Sequence, residues 1–203
     1  MTSWDKFFEE KMKLLLREGA EVVDIGGGLR VLKGRGNRYD KSREWLRPYI
    51  EKANYRIMDP VPDYSPDIVG DIHHLPFEDN SLDGIVCMAV LEHVENPILA
   101  MQEMHRVLRP EGMLFLYVPF LYYYHAEVGY YRDFWRFTKD ALHHMGGIFS
   151  RVEIEHVRGP LETLFHLTPL GKRRLILEFA RKFDAKYKQG SSQVSGYNGF
   201  MVK

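Results

Sequence analysis

A chain of 203 residues suits one domain of ordinary size and can bury roughly two-thirds of the surface that its unfolded form would expose. Hydrophobic residues at 45% and charged residues at 28% set it apart from disordered chains, and no run approaches the roughly 18 uninterrupted apolar residues of a membrane span. Lys plus Arg and Asp plus Glu both number 28, so there is no global basic field and nucleic acid is not expected as a partner.

The first helix is expected within residues 1–18, where Phe7, Phe8, Met12, Leu15 and Leu16 recur at helical spacing and Gly19 follows as a terminator. Charges in every turn, without an apolar stretch or small-residue cleavage site, distinguish it from a signal peptide. The run EVVDI at 21–25 reads as a strand that breaks at Gly26, Gly27 and Gly28. A basic, glycine-rich loop over 29–38 leads to a helix over 41–52, with Trp45, Leu46, Tyr49 and Ile50 on one face. A second strand at 55–58 ends at Asp59, prolines interrupt 60–66, and Ile68 with Val69 makes a brief third strand before Asp71.

The nearly continuous apolar run 82–90 fits a strand covered on both faces of a parallel sheet. It contains the only cysteine, Cys87, which reads as a buried apolar group in a reducing, cytoplasmic setting. Asn96 and Pro97 start a helix that places Ile98, Met101, Met104, His105 and Leu108 together. A turn at 109–112 precedes a fifth strand at 113–118 and an aromatic connection over 119–148, in which Thr138 caps a short helix. A strand with one more exposed face follows at 149–157, and the last strand is at 197–202. This alternation predicts an α/β fold: a single Rossmann-like, doubly wound domain over 1–203, with a mostly parallel seven-stranded sheet and helices on both faces.

In such a sheet, ligands bind beyond the carboxyl ends of the strands. There stand Asp24 with its glycine turn, which lets a ligand approach the backbone, Asp59, whose carboxylate can accept from both ribose hydroxyls, and Asp71. A phosphate-binding loop would need a Gly-Lys-Ser/Thr ending, which is missing, and a dinucleotide fingerprint starting at Gly26 would need a small residue where Val31 stands. VVDIGGG, the acid of IMDP, the run DIHHLPFEDNSLDGIVCMAVLEHV and the passage HRVLRPEGMLFLYVP together resemble the class I S-adenosylmethionine-dependent methyltransferases, especially their small ubiquinone/menaquinone-type branch. The resemblance covers about 21–119 and implies S-adenosylmethionine as cofactor. It puts Asp24, Gly26, Gly27 and Gly28 around the amino-acid part, Asp59 on the ribose, Asp71 and Ile72 at the adenine, and Met88, Glu92 and His93 beside the methionine. Two features depart from the family: Arg30 stands where a further glycine is common, and the glycine turn is farther from Asp59 than usual.

Methyl transfer from a sulfonium is an in-line displacement that depends mainly on holding the reacting atoms roughly 3 to 3.5 Å apart. A hydroxyl acceptor must also lose a proton, and His93, His125 and Asp133 are the candidate bases. His125 is preferred, because it lies in the connection after the fifth strand, where the acceptor should enter. In that connection, Tyr122, Tyr124, His125 and Arg136 are the expected acceptor-binding residues, with rings to stack on it and Arg136 or Lys139 to hold an anionic group. RDFWRFT resembles a passage of bacterial methyltransferases associated with surface-glycan assembly. The favoured partner is therefore a small-molecule acceptor, a saccharide hydroxyl, free or lipid-linked.

His73 with His74 and His143 with His144 lack metal-ligand spacing, so no metal is expected. The segment 160–190 combines Lys172, Arg173, Arg174, Arg181, Lys182, Lys186 and Lys188 with Leu175, Ile176, Phe179 and Phe183. It suits a peripheral contact with the inner membrane surface, although such a helix is more often a solvated surface element. An NAD-dependent Rossmann enzyme and a noncatalytic methyltransferase-like binding protein stay open as rivals, and the oligomeric state is not legible.

Overall fold

The sheet order is β3-β2-β1-β4-β5-β7-β6. Its strands are β1 (Glu21–Ile25), β2 (Asn54–Asp59), β3 (Ile68–Val69), β4 (Leu82–Met88), β5 (Leu108–Pro119), β6 (Arg151–Val157) and β7 (Gly196–Val202). The structure is a computed structural model that describes residues 2–32, 39–187 and 190–203; residues 33–38 of the expected basic loop, and Lys188, lie outside the described residues. Strands β1 to β5 pair in parallel, and β7 runs antiparallel between β5 and β6. The sheet is thus mostly parallel, as expected. Strand order reverses between β1 and β4, so the crevice for a ligand opens at their carboxyl ends.

Alternate residues of each central strand enter opposite cores. Val23, Ile25, Ile85, Cys87, Leu114 and Leu116 join the core that holds α3 (Pro97–Val107) and α4 (Lys139–Gly146). Val22, Val86 and Phe115 join the other core, with Met12 and Leu15 of α1 (Ser3–Leu15). Burial on both faces is why these strands read as continuous apolar runs. The expected caps are present: Asn96 Oδ1 accepts from Leu99 N at 3.1 Å, and Thr138 accepts from Ala141 N.

Three elements differ from their sequence-based outlines. The helix expected over 41–52 divides into a 3-10 helix, Lys41–Leu46, and the short α2 (Arg47–Ile50), at whose start Pro48 lacks an N–H. β5 begins at Leu108 and includes the expected turn: Leu108 pairs with Leu82, then the register shifts before Met113 pairs with Gly84, and Glu111 takes φ 63°. The segment after β6 forms two helices, α5 (Pro160–His166) and α6 (Arg174–Tyr187). The N-cap of α5 is Gly159, which has no side chain to offer, so Asp184 of α6 accepts from Leu161 N at 3.0 Å and Glu162 N at 2.9 Å. Among the described residues, no helix is long and apolar enough to cross a membrane.

Candidate active site

After β1 the chain turns through Gly26 and Gly27, at φ 79° and 62°, where a side chain would be strained. A Cβ on Gly28 would lie 2.6 Å from Met88 Cβ, and one on Gly26 would lie 2.6 Å from Val90 Cγ2, so the turn fits against the end of β4 only without side chains. Asp24 holds it from below: its carboxylate accepts from Gly28 N at 3.0 Å, Leu29 N at 2.9 Å and Tyr55 Oη at 2.5 Å. Burial outweighs these bonds and pushes the Asp24 carboxyl up to about 6. Arg43 pins the turn from the side, donating to Gly28 O at 2.6 Å. Arg30, where the resembled family often has glycine, takes φ 55°, a left-handed conformation that glycine would adopt more easily.

The three expected acids have different surroundings. Asp59 lines a narrow groove with Gly26, Gly27, Ile57 and Tyr64, and accepts from Val61 N at 2.9 Å. Asp24 is buried beneath the turn. Asp71 is exposed and bonds within its own turn, to His73 N at 2.9 Å and His73 Nδ1 at 2.8 Å, while Ile72 is buried in the apolar core.

A larger cleft, about 1090 Å³, starts at Gly28 and Arg30, passes Met88 and reaches Glu92, Tyr122 and His125. Trp4 and Phe8 of α1 form part of its wall, with Tyr117, Arg158 and Asn198. This volume exceeds what a typical single ligand fills, roughly 300 to 1,000 Å³, and leaves room for two. Both cavities share Arg30.

Directly after β4, a 3-10 turn, Leu91–His93, sets Glu92 and His93 beside His125. Glu92 is only 1% exposed, and neither carboxylate oxygen has a hydrogen-bond partner among the described residues. Its Oε1 lies 3.6 Å from His125 Nε2 and 3.9 Å from His93 Nε2. The neighbouring Glu92 carboxylate raises the pKa of His125 against the opposing effect of burial. Asp133 is committed elsewhere: it forms a two-point pair with Arg136 at 2.5 and 2.8 Å and accepts from His125 N at 2.8 Å. Arg136 holds the Asp133 carboxyl down at about 2. Arg136 also donates to the carbonyls of Tyr122 and Tyr123, so this pair braces the connection. Tyr122 lines the cleft, whereas Tyr124 is 74% exposed and outside the cleft lining.

Residues 40–116 match the sequence model of a family described as a methyltransferase domain. The chain is 29% identical over 104 residues to a ubiquinone/menaquinone biosynthesis C-methyltransferase of Ruegeria sp., covering 48% of this chain and 42% of that protein. It is 33% identical over 106 residues to a probable tRNA methyltransferase 9B of Mus musculus, covering 50% and 22%. A SAM dependent methyltransferase from Archaeoglobus fulgidus superposes with a TM-score of 0.62 at 14% identity, covering 98% of this chain and 93% of that one. The chain has the fold of the class I methyltransferases. The solved structure establishes the fold, and the chain spans less than half the length of these curated relatives. In this methyltransferase fold, the glycine turn and the Glu92 group occupy the two sides of the strand-order reversal.

Sequence reasoning missed Arg43, Tyr55, Tyr117, Arg158 and Asn198. Only Tyr55 stood in an expected element, the second strand, and the structure pairs it in register with Val22, close to Asp24.

Proposed function

We propose that this protein is an S-adenosylmethionine-dependent methyltransferase acting on a small molecule, with a saccharide hydroxyl, free or lipid-linked, as acceptor. One observation carries this reading: a side-chain-free turn and a strand-end carboxylate share a groove that adjoins a cleft with room for a second ligand. The residues present fit the cofactor. The backbone of Gly26, Gly27 and Gly28 would hold its amino-acid part, kept in place by Asp24, and Asp59 would accept from the ribose. Met88, Glu92 and His93 would lie beside the methionine, whereas Asp71 and Ile72, which the resemblance assigns to the adenine, line neither cavity.

When bound, this cofactor supplies a methyl group already activated on a sulfonium. The protein then has to align the acceptor and deal with its proton. Tyr117 and Tyr122 line the cleft wall and would pack against a sugar held there. Promoting loss of the proton falls to the Glu92, His93 and His125 group, of which Glu92 and His125 line the cleft. Asp133, already paired with Arg136, serves as a positioning residue.

A lipid-linked acceptor accords with the exposed side of the α5 to α6 segment, where Leu164, Leu167, Leu175 and Phe179 are exposed, as are Arg174 and Lys182. We propose this face as a peripheral contact with an anionic membrane surface.

Calorimetric titration with S-adenosylhomocysteine and with NAD tests the cofactor assignment. Binding of the first is expected, and binding of NAD alone would overturn it. Mass spectrometry of cell extracts incubated with isotopically labelled methyl donor should then reveal a labelled saccharide, and labelled protein or RNA alone would refute the acceptor class.

A further inference from the structure

At the inner end of the cleft, the Glu92 carboxylate faces His93 Nε2 at 3.9 Å and His125 Nε2 at 3.6 Å, and its oxygens make no hydrogen bond among the described residues. His93 Nδ1 lies 2.6 Å from the carbonyl of Arg132, and His125 Nδ1 lies 3.1 Å from the carbonyl of Tyr123. A carbonyl only accepts, so each Nδ1 carries a proton, and in the neutral ring each Nε2 presents a lone pair. These lone pairs face Glu92, and one ligand atom from each of the three residues lies within 4.8 Å of the others. Leaving a buried carboxylate without any partner is costly, and folded proteins rarely do so.

One extra proton does not resolve this arrangement. Placed on His125 Nε2, it would still be directed across 3.6 Å, longer than a hydrogen bond, and would leave His93 Nε2 facing a carboxylate. A cation satisfies all three groups together. We propose that Glu92, His93 and His125 form a binding site for a first-row transition dication of the manganese, iron, cobalt or zinc type.

Two imidazoles and one carboxylate suit these ions, whereas magnesium and calcium favour oxygen donors. Ligand bonds of about 2.0 to 2.2 Å would require a contraction on the order of 1 Å, within reach of a connection that carries only one of the ligands. Both histidines already show the outer arrangement of metal ligands, with the second ring nitrogen fixed by a backbone carbonyl. The paired histidines considered in the sequence, His73 with His74 and His143 with His144, take no part.

The role of the ion rests on the methyl-transfer reading. Three protein ligands leave coordination positions free, and a hydroxyl held at one of them becomes more acidic. Its proton passes to solvent as the oxygen takes the methyl group, and the sulfonium becomes a neutral thioether. The acceptor class would then be a hydroxyl compound able to bind a metal, such as a vicinal diol of a sugar.

The test uses the whole chain, stripped with a chelator, and titrates cobalt(II) by its visible absorption and zinc by competition. One equivalent is expected to bind and to raise Tm, because the ion binds the native state. Glu92→Gln, His93→Asn and His125→Asn should each weaken binding at least about tenfold, and His144→Gln should not. Circular dichroism checks folding, and the wild-type titration stands even if a variant fails to fold. No uptake by wild type at about 1 mM metal, or wild-type affinity in folded variants, would overturn the site. S-adenosylhomocysteine titrated into the same samples separates the two readings: its binding without metal uptake sinks only the metal site, and metal uptake without it sinks only the methyl-donor reading.

Discussion

Asp24 has its carboxylate oxygens committed to Gly28 N, Leu29 N and Tyr55 Oη, yet burial dominates and its pKa rises from 3.8 to about 6. A carboxyl with a raised folded pKa binds its proton more tightly in the native state. Its contribution is therefore complete below about pH 4 and is lost as pH rises through about 6, by up to about 3 kcal/mol. Urea unfolding of wild type and Asp24→Asn between about pH 4 and 7 isolates this group, since other titrations cancel in the difference. The stability advantage of wild type should shrink with rising pH, and a flat difference would show that Asp24 titrates normally. Asp59 has a more direct role in the proposal. Asp59→Ala should weaken S-adenosylhomocysteine binding by about 1.5 to 3 kcal/mol through loss of a charged acceptor, and unchanged affinity in a folded variant would refute the ribose assignment. Both aspartates were legible because each stands at the carboxyl end of a short strand. Arg43 was not, because its bond to Gly28 O joins residues 15 apart across a stretch of sequence with no clear periodicity.

The strands were legible for a physical reason: burial on both faces leaves an apolar run with clear ends, as in Ile85, Val86 and Cys87 of β4. α5 was harder to distinguish, since the groups that stabilise its start come from α6 rather than from its own sequence neighbours. Asp184→Ala should remove that cap and cost about 1 to 2 kcal/mol, measurable by urea unfolding. Because Asp184 is buried against Gly159, little rearrangement can compensate, and a loss below a few tenths of a kcal/mol would contradict the capping role. On the outer face, Leu175 is 80% exposed and Phe179 63% exposed, so changing both to Ser should hardly affect the fold. The same double change should reduce sedimentation with vesicles containing anionic lipid. Equal sedimentation of variant and wild type, or binding to neutral vesicles alone, would remove this face as a membrane contact.

The sheet brings together groups that no local pattern connects. Periodicity predicts elements but not which turns meet, so the glycine turn was legible while the approach of His125 to Glu92 was not. That approach depends on the connection after β5 folding back to the end of β4, where Phe134 N donates to Glu92 O at 2.7 Å. One ligand lying across the strand-order reversal would touch both the turn after β1 and the turn after β4. Hydrogen exchange with and without S-adenosylhomocysteine reads this directly, because contact and local ordering slow the exchange of backbone amides. Protection is expected at 26–30 and again at 88–93, on opposite sides of the switch point, with the exchange of α5 and α6 unchanged. Uniform slowing across the sheet would reflect only the global stabilisation that any native-state ligand confers. Protection on the β1 side alone would put the nucleoside in the narrow groove without bringing the reactive end to the cleft, and the methyl-transfer geometry would fail.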